Sequence, residues 1–375
     1  MNWKILLSVM VVLGSATLRV EAQFGQFGTG DPAGESLKQA AAGGDAESQF
    51  QYGLRLLSAE GADKTAKAAG AEWVQKAAKQ GLDKAMHVMG ILCEEGEGVP
   101  KDLGKAAEWQ GKAADAGLAE AQFRMALMHE EGKGVAKDPA AAADWAMQAA
   151  TQGHAPGQAL YALKLVRGEG VPKNSSKAAV WFLRAAQQGN GFSQRQLAYL
   201  YYTGNGVPVD YARCEAWYRQ AASNEEDVWA MNDLAWFLAT CPEDKFHKGD
   251  EAVAIAKAAI KTLPEQRHEM VDTMAAALAR NGKFGEAIVW QKRCLSLLKE
   301  DRDMPADERK KLETEFSERL KLYTAGKPYS DKAVEPEKKC EPLPNDDVLN
   351  GARTRVLPGQ DQRPVQPPKK KDSVI

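Results

Sequence analysis

Trp73, Trp109, Trp145, Trp181 and Trp217 each stand 36 residues after the one before. A fixed period of this length marks an array of stacked units, each of which buries its apolar face only against its neighbours. Other residues recur in the same phase. Gly96-Glu97-Gly98-Val99 returns as Gly132-Lys133-Gly134-Val135, Gly168-Glu169-Gly170-Val171 and Gly204-Asn205-Gly206-Val207. Ala77-Ala78 with Gly81 returns as Ala113-Ala114 with Gly117, Ala149-Ala150 with Gly153, and Ala185-Ala186 with Gly189. Such an array offers a surface along its length rather than one enclosed catalytic pocket.

Each unit reads as two helices joined by the Gly-x-Gly-Val turn. In the third unit helix A is expected over about 121–131 and helix B over about 139–152. Glycine after a helix takes the left-handed conformation without the cost of a Cβ. The valine that follows can drop an apolar anchor between the helices. Paired alanines on helix B let the next helix come close. The tryptophan, four residues before the first alanine, lies on the same face. It is expected to supply the apolar area that locks one repeat to the next.

The pattern resembles the Sel-like repeat (SLR) family, a relative of the tetratricopeptide repeat. Met89-Gly90, the turn at Gly96, Lys105-Ala106, Trp109, Lys112-Ala113-Ala114 and Gly117 match its signature. The likeness covers about residues 36–225; the first unit departs from it, because Glu60-Gly61-Ala62 lacks the glycine pair. Period and resemblance together lead to an all-α chain, a right-handed α-solenoid (superhelix) of stacked antiparallel helix pairs.

The flanks divide the rest. Lys4, the apolar run Ile5 to Leu13 and Val20-Glu21-Ala22 read as a secretory signal over 1–22. A flexible leader follows over 23–35, then the Sel-like array over 36–227. Residues 228–325 read as tetratricopeptide-like repeats, with Leu234-Ala235, Ala252, Ala259 and Pro264 in place, a second unit around Gly282-Lys283-Phe284, and a closing helix at about 306–324. The stretch Tyr323-Thr324-Ala325-Gly326-Lys327-Pro328-Tyr329 has the wording of a recurring bacterial form. Residues 326–375 read as a disordered Pro/Lys-rich tail, with seven prolines in the last 46 residues and a Lys369-Lys370-Lys371 run.

Net charge is −2, so no strongly basic domain points to nucleic acid. No membrane-length apolar run follows the signal. The expected location is outside the cytoplasm, periplasmic or extracellular. Five cysteines leave one over if the others pair; packing is the expected role of Cys93 and Cys294, and Cys241 with Cys294 is the pairing to test. The five histidines show no metal-ligand spacing, and no nucleophile elbow or phosphate-binding loop is present. No cofactor, metal or catalytic residue is assigned. Glu94-Glu95 and Glu130-Glu131 read as solvated surface at the end of helix A.

Function is therefore sought on the inner face. Counting from the leucine-glycine slots, His87, Ile91 and Glu94 face inward in the second unit, and Phe123, Leu127 and Glu130 in the third. Leu163 and Val166 follow in the fourth, and Arg195, Tyr199 and Tyr202 in the fifth. Exposed aromatics beside an arginine are the composition of a binding hot spot. The expected function is an exported, non-catalytic scaffold for a protein or peptide partner at the bacterial cell envelope. The alternatives are a β-lactam- or cell-wall-active enzyme, an activity the resemblance brings in from some secreted family members, and a structural envelope component tethered by its tail.

Overall fold

The computed structural model describes residues 32–59, 61–223, 227–263, 267–334, 340–344 and 346. The signal read at 1–22, Pro264 and the lysine run 369–371 lie outside the described residues. Among the described residues the chain is helical with no strand. It opens with α1 (Pro32–Ala42), so the last four residues read as leader are helical. Pairs of an A helix and a B helix follow: α2 (Ala46–Ser58) with α3 (Lys64–Lys79), α4 (Asp83–Glu95) with α5 (Leu103–Asp115), and α6 (Ala119–Glu131) with α7 (Pro139–Thr151). Then come α8 (Ala155–Arg167) with α9 (Ser175–Gln187) and α10 (Gly191–Thr203) with α11 (Tyr211–Ala222). Beyond them lie α12 (Val228–Thr240) with α13 (Gly249–Thr262), and α14 (His268–Arg280) with α15 (Phe284–Glu300). α16 (Ala306–Thr324) closes the series. Each helix packs on the next, which makes the chain an α-solenoid.

The period is written into the helix ends. Asp102, Asp138, Asn174 and Asp210, 36 residues apart, cap α5, α7, α9 and α11. Each side chain accepts a first-turn N–H at 2.9–3.0 Å, which satisfies a donor that the helix leaves unpaired. Each cap's own N–H donates back to the A helix, to the carbonyls of Cys93, His129, Leu165 and Tyr201, at 2.8–3.0 Å. That slot varies freely in side chain because its backbone makes the joint.

The two glycines of each turn differ in what they do. Gly96, Gly132, Gly168 and Gly204 end their A helices at φ 68–77°. The second glycines, Gly98, Gly134, Gly170 and Gly206, also have positive φ but face another repeat. A Cβ there would lie 1.9–2.3 Å from the backbone at the start of the preceding B helix. The turn is thus a contact between repeats as well as a link within one.

The paired alanines form the closed layer: all eight are at most 2 % exposed. The tryptophans correct an expectation. Only Trp217 is buried, while Trp73, Trp109, Trp145 and Trp181 are half-buried. Trp73 and Trp181 meet Tyr52 and Tyr161 of their own pairs edge-on, at 5.6 and 5.8 Å. Lys76, Lys112 and Arg184 lie over the outer faces of Trp73, Trp109 and Trp181. These rings brace A against B and roof the alanine layer, and a cation one turn on shields the exposed face. Trp109, Trp145 and Trp181 also border clusters that reach into the next pair, with Met125, Leu160 and Leu197 respectively.

A polar seam runs beside that layer. Gln122, Gln158 and Gln194, again 36 residues apart, are nearly buried at the starts of A helices. Their amides donate to Ala114, Ala150 and Ala186 at the end of the preceding B helix, at 3.1–3.2 Å. Gln152 and Gln188, at the ends of the following B helices, donate to Gln122 and Gln158 at 2.7 and 2.8 Å. Three successive helices are joined through one side chain. Gln158→Leu removes one hydrogen bond from the Ala150 carbonyl and the shortest one from the Gln188 amide and is expected to cost about 1–2 kcal/mol. Urea unfolding followed by circular dichroism measures it.

The cysteines are free thiols; all but the half-buried Cys340 are buried. Cys241 lies in the cluster around Phe237 and Phe246, and Cys294 in another with Val271 and Phe316. The Cys241–Cys294 disulfide considered from the sequence is not formed. Burial pushes the Cys241 thiol up to about 11, so it stays protonated at neutral pH.

Candidate functional site

A helices of neighbouring pairs touch directly at α6–α8, α10–α12 and α12–α14, which sets them on the inside of the stack. This contact decides the fate of the residues expected to face a partner. Phe123 and Leu127 pack in one cluster with Leu160 of the next A helix and are 7 % and 6 % exposed. Ile91 and Leu163 are buried as well. The spacing places these residues on the inward side of the helix, and the next A helix lies against that side.

The charged candidates are also engaged. Arg195 is buried; its guanidinium pairs with Asp233 on α12 at 2.8–2.9 Å. It is therefore not the exposed arginine of the sequence reading. Glu130 is not solvated either. It accepts from the Lys164 ammonium of the next pair, and Lys164 is 1 % exposed. Glu94 lies 3.7 Å from Arg124. These bridges link one A helix to the next.

His87 is half-buried, with Nδ1 at 2.8 Å from the Gln110 side-chain oxygen. Burial holds its imidazole below the ordinary range near 6.5. His154 is lowered for the same first reason. Its Nδ1 caps α8 by accepting the Gly157 N–H at 3.1 Å, a role only an unprotonated nitrogen can fill. Asn190 holds the same slot one repeat later and caps α10 at 2.8 Å. A depressed folded-state value means the unfolded chain takes up protons first. This contribution to stability is therefore present above about pH 6.5 and lost as pH falls through the folded-state values. His154→Asn is expected to keep stability near neutrality and to flatten its decline below pH 6.5. Thermal melts of both chains between pH 7.5 and 5 check this.

Tyr199 and Tyr202 remain half-buried on α10, and the structure brings something unforeseen to them. The chain returns after α16 and crosses the C-terminal ends of α14, α12 and α10. The Lys327 N–H donates to the Leu322 carbonyl at 2.9 Å, and the Asp331 N–H to the Thr240 carbonyl at 2.7 Å. Arg280 Nη2 donates to the Tyr329 carbonyl at 2.7 Å. One oxygen of Asp331 accepts from the Tyr202 hydroxyl at 2.6 Å, the Thr240 hydroxyl at 3.0 Å and the Trp236 indole at 3.1 Å. The other accepts from the Tyr329 hydroxyl at 2.9 Å. Burial, then the Asp331 charge, pushes the Tyr202 phenol far up and Tyr329 to about 12. Both phenols stay donors at any physiological pH.

Farther on, Asp346 is buried against the fifth A–B pair. It accepts from the Tyr201 hydroxyl and from the Trp217 indole at 3.2 Å, with Arg213 Nε at 3.7 Å. Residues 327–334 and this aspartate thus correct the reading of everything after 326 as a structureless tail. Composition concealed them because a segment that docks through two aspartates and a tyrosine has no apolar period. Two stretches of recurrent wording signal the site: Leu234 to Pro242, which carries Trp236 and Thr240, and Tyr323 to Tyr329, which ends on the docking ring. Nothing in the sequence pattern gives Asp331, Trp236, Thr240 or Arg280 a binding role.

Residues 46–82, 83–118, 119–154, 155–190 and 191–225 each match the Sel1 repeat. Two crystal structures share the fold. One is a protective antigen present in uropathogenic Escherichia coli strains and displaying an SLR fold. It is 22 % identical, with 79 % of this chain and 76 % of that one covered, at a TM-score of 0.55. The other is a Sel1 repeat protein from Oxalobacter formigenes. It is 27 % identical, with 62 % of this chain and 97 % of that one covered, at a TM-score of 0.52. Comparison with curated proteins gives no match. Sel1 repeat proteins serve generally as protein-interaction scaffolds. With five tandem copies in phase and the paired-helix stack they build, residues 46–225 are an array of Sel1 repeats.

Proposed function

We propose that this protein is an exported, non-catalytic scaffold that holds an extended protein or peptide partner at the cell envelope. One observation carries the reading: a stretch of extended polypeptide, residues 327–334, already lies across the ends of three A helices beside Tyr199 and Tyr202. A surface that accepts backbone through Thr240 and Arg280 and side chains through Tyr202 and Trp236 is built to hold a chain. Export rests on the sequence signal at 1–22. In this layout residues 36–227 form the array, 228–325 extend it, and residues 327–334 return to it.

Of the eight residues singled out from sequence, Tyr199 and Tyr202 lie beside that surface. Arg195, Phe123, Leu127, Ile91, Glu130 and His87 sit within the stack and shape it from behind. The test is capture from an envelope extract of the native host with the full chain and with Tyr199→Ala. A partner held by the wild type and lost at least about tenfold on truncation supports the reading, since one hot-spot aromatic carries about 2 kcal/mol. Equal capture by both chains contradicts it.

A further inference from the structure

The segment after α16 is held in a way that identifies what the surface recognises. Among residues 328–332, Tyr329 and Asp331 are half-buried, whereas Pro328, Ser330 and Lys332 are exposed. That alternation is an extended chain lying on a surface, not an element woven into a core. Its side-chain anchors are few. The Tyr329 ring rests 6.0 Å from Trp236, with the Arg319 guanidinium 5.2 Å from its centre. The Asp331 carboxylate takes three donors from α10 and α12. The site is therefore an aromatic shelf followed, two residues on, by a cluster of neutral hydroxyl and indole donors aimed at one carboxylate oxygen.

A second carboxylate seat repeats the chemistry. Asp346 meets a tyrosine hydroxyl and an indole again, from Tyr201 and Trp217. Leu343 packs on the core cluster between these anchors. Two seats built from adjacent tyrosines of α10, both filled by the chain's own acidic residues, describe one recognition mode. Hydrogen bonds to an ionised acceptor are roughly twice as strong as neutral ones, so such donors select acids over amides.

We propose that residues 327–334 are a built-in occupant of this seat. The partner's docking element is an extended segment with an aromatic residue two positions before a carboxylate, which displaces them. The inference rests on the scaffold reading and supplies its chemistry. Tethering sets the local concentration of the resident segment near the millimolar range. A free segment of equal intrinsic affinity competes poorly until the resident is loosened. The surface is thus closed to weakly binding segments and open to a partner that engages additional contacts along the stack.

The probe is a fluorescein-labelled peptide with the sequence of residues 325–334. Its binding is measured by polarisation to the full chain and to the full chain carrying Tyr329→Ala and Asp331→Asn. The expected result is at least about tenfold tighter binding to the variant. The gain is lost when Tyr202→Phe and Trp236→Phe are added, and lost when the peptide carries asparagine for its aspartate. Equal binding to both chains, or binding to neither, overturns the proposal. If circular dichroism shows that the variant has lost helix, the wild-type chain decides. Saturating unlabelled peptide is expected to speed hydrogen exchange at residues 327–334, and unchanged exchange overturns the proposal. Should the peptide fail while Tyr199→Ala still abolishes capture of a partner, the scaffold stands and this seat is not its docking site.

Discussion

Gly170→Ala is expected to destabilise the stack by on the order of 3 kcal/mol, while Gly153→Ala costs about 1 kcal/mol. Both glycines have positive φ, 74° and 87°. An alanine there bears the left-handed strain in either case. What separates them is the space. Nothing lies within 4 Å of a Cβ on Gly153, whereas one on Gly170 would lie 1.9 Å from the Pro139 carbonyl oxygen and 2.4 Å from its carbon. Backbone on both sides leaves no flexible group to yield, so the fourth pair must move away from the third. The alanine layer and the Gln158 joint between them open together. In a stack whose cooperativity passes through neighbouring interfaces, this also broadens the transition. Urea titration of both variants, with circular dichroism and tryptophan fluorescence, gives the comparison; equal losses would show that the second glycine is only a turn residue.

Asp272→Ala has the other large effect, an expected loss of about 3–5 kcal/mol. Asp272 and Arg319 are both 6 % exposed and face each other through two contacts of 2.9–3.0 Å. Gln291 donates to the same carboxylate at 2.9 Å. α14, α15 and α16 are thereby pinned at one point. Removing the carboxylate leaves a guanidinium with little access to water. Removing both charges, as Asp272→Leu with Arg319→Met, is expected to recover most of the loss, because the desolvation cost disappears with the pair. Arg319 also lies 5.4 Å from the Trp236 ring centre and 5.2 Å from that of Tyr329. The single variant is therefore expected to loosen residues 327–334 as well, seen as faster hydrogen exchange there. A single variant as stable as the wild type would show that the pair does not fasten the closing helix.

What the sequence disclosed follows from which constraints repeat. A glycine needed for a left-handed turn, an alanine needed for close approach and an indole bracing two helices recur because the same geometry recurs. They were legible as a 36-residue period. Gln122, Gln158 and Gln194 recur too, yet glutamine announces no role until a carbonyl from another helix is placed beside it. The Lys164–Glu130 bridge appears once and joins residues 34 apart on successive A helices. Its carboxylate read as solvent-facing because its helix-terminal position hid the cation behind it. The inner face was misjudged for a related reason. Phe123 and Leu127 stand on the inward side of α6, but the depth of the groove depends on how closely α8 approaches. The contact of Asp331 with Tyr202 spans 129 residues. No periodicity reaches across such a separation, and only the folded chain shows it.

The central claim is that the A-helix surface beside Tyr199 holds a partner. Its most direct measurement is photo-crosslinking in the native host from a benzophenone side chain placed at Tyr199, with the exposed B-helix position Lys177 as control. The account predicts a discrete crosslinked protein from position 199, diminished by excess peptide of residues 325–334, and none from position 177. Crosslinks of equal yield from both positions, or from 177 alone, would contradict it.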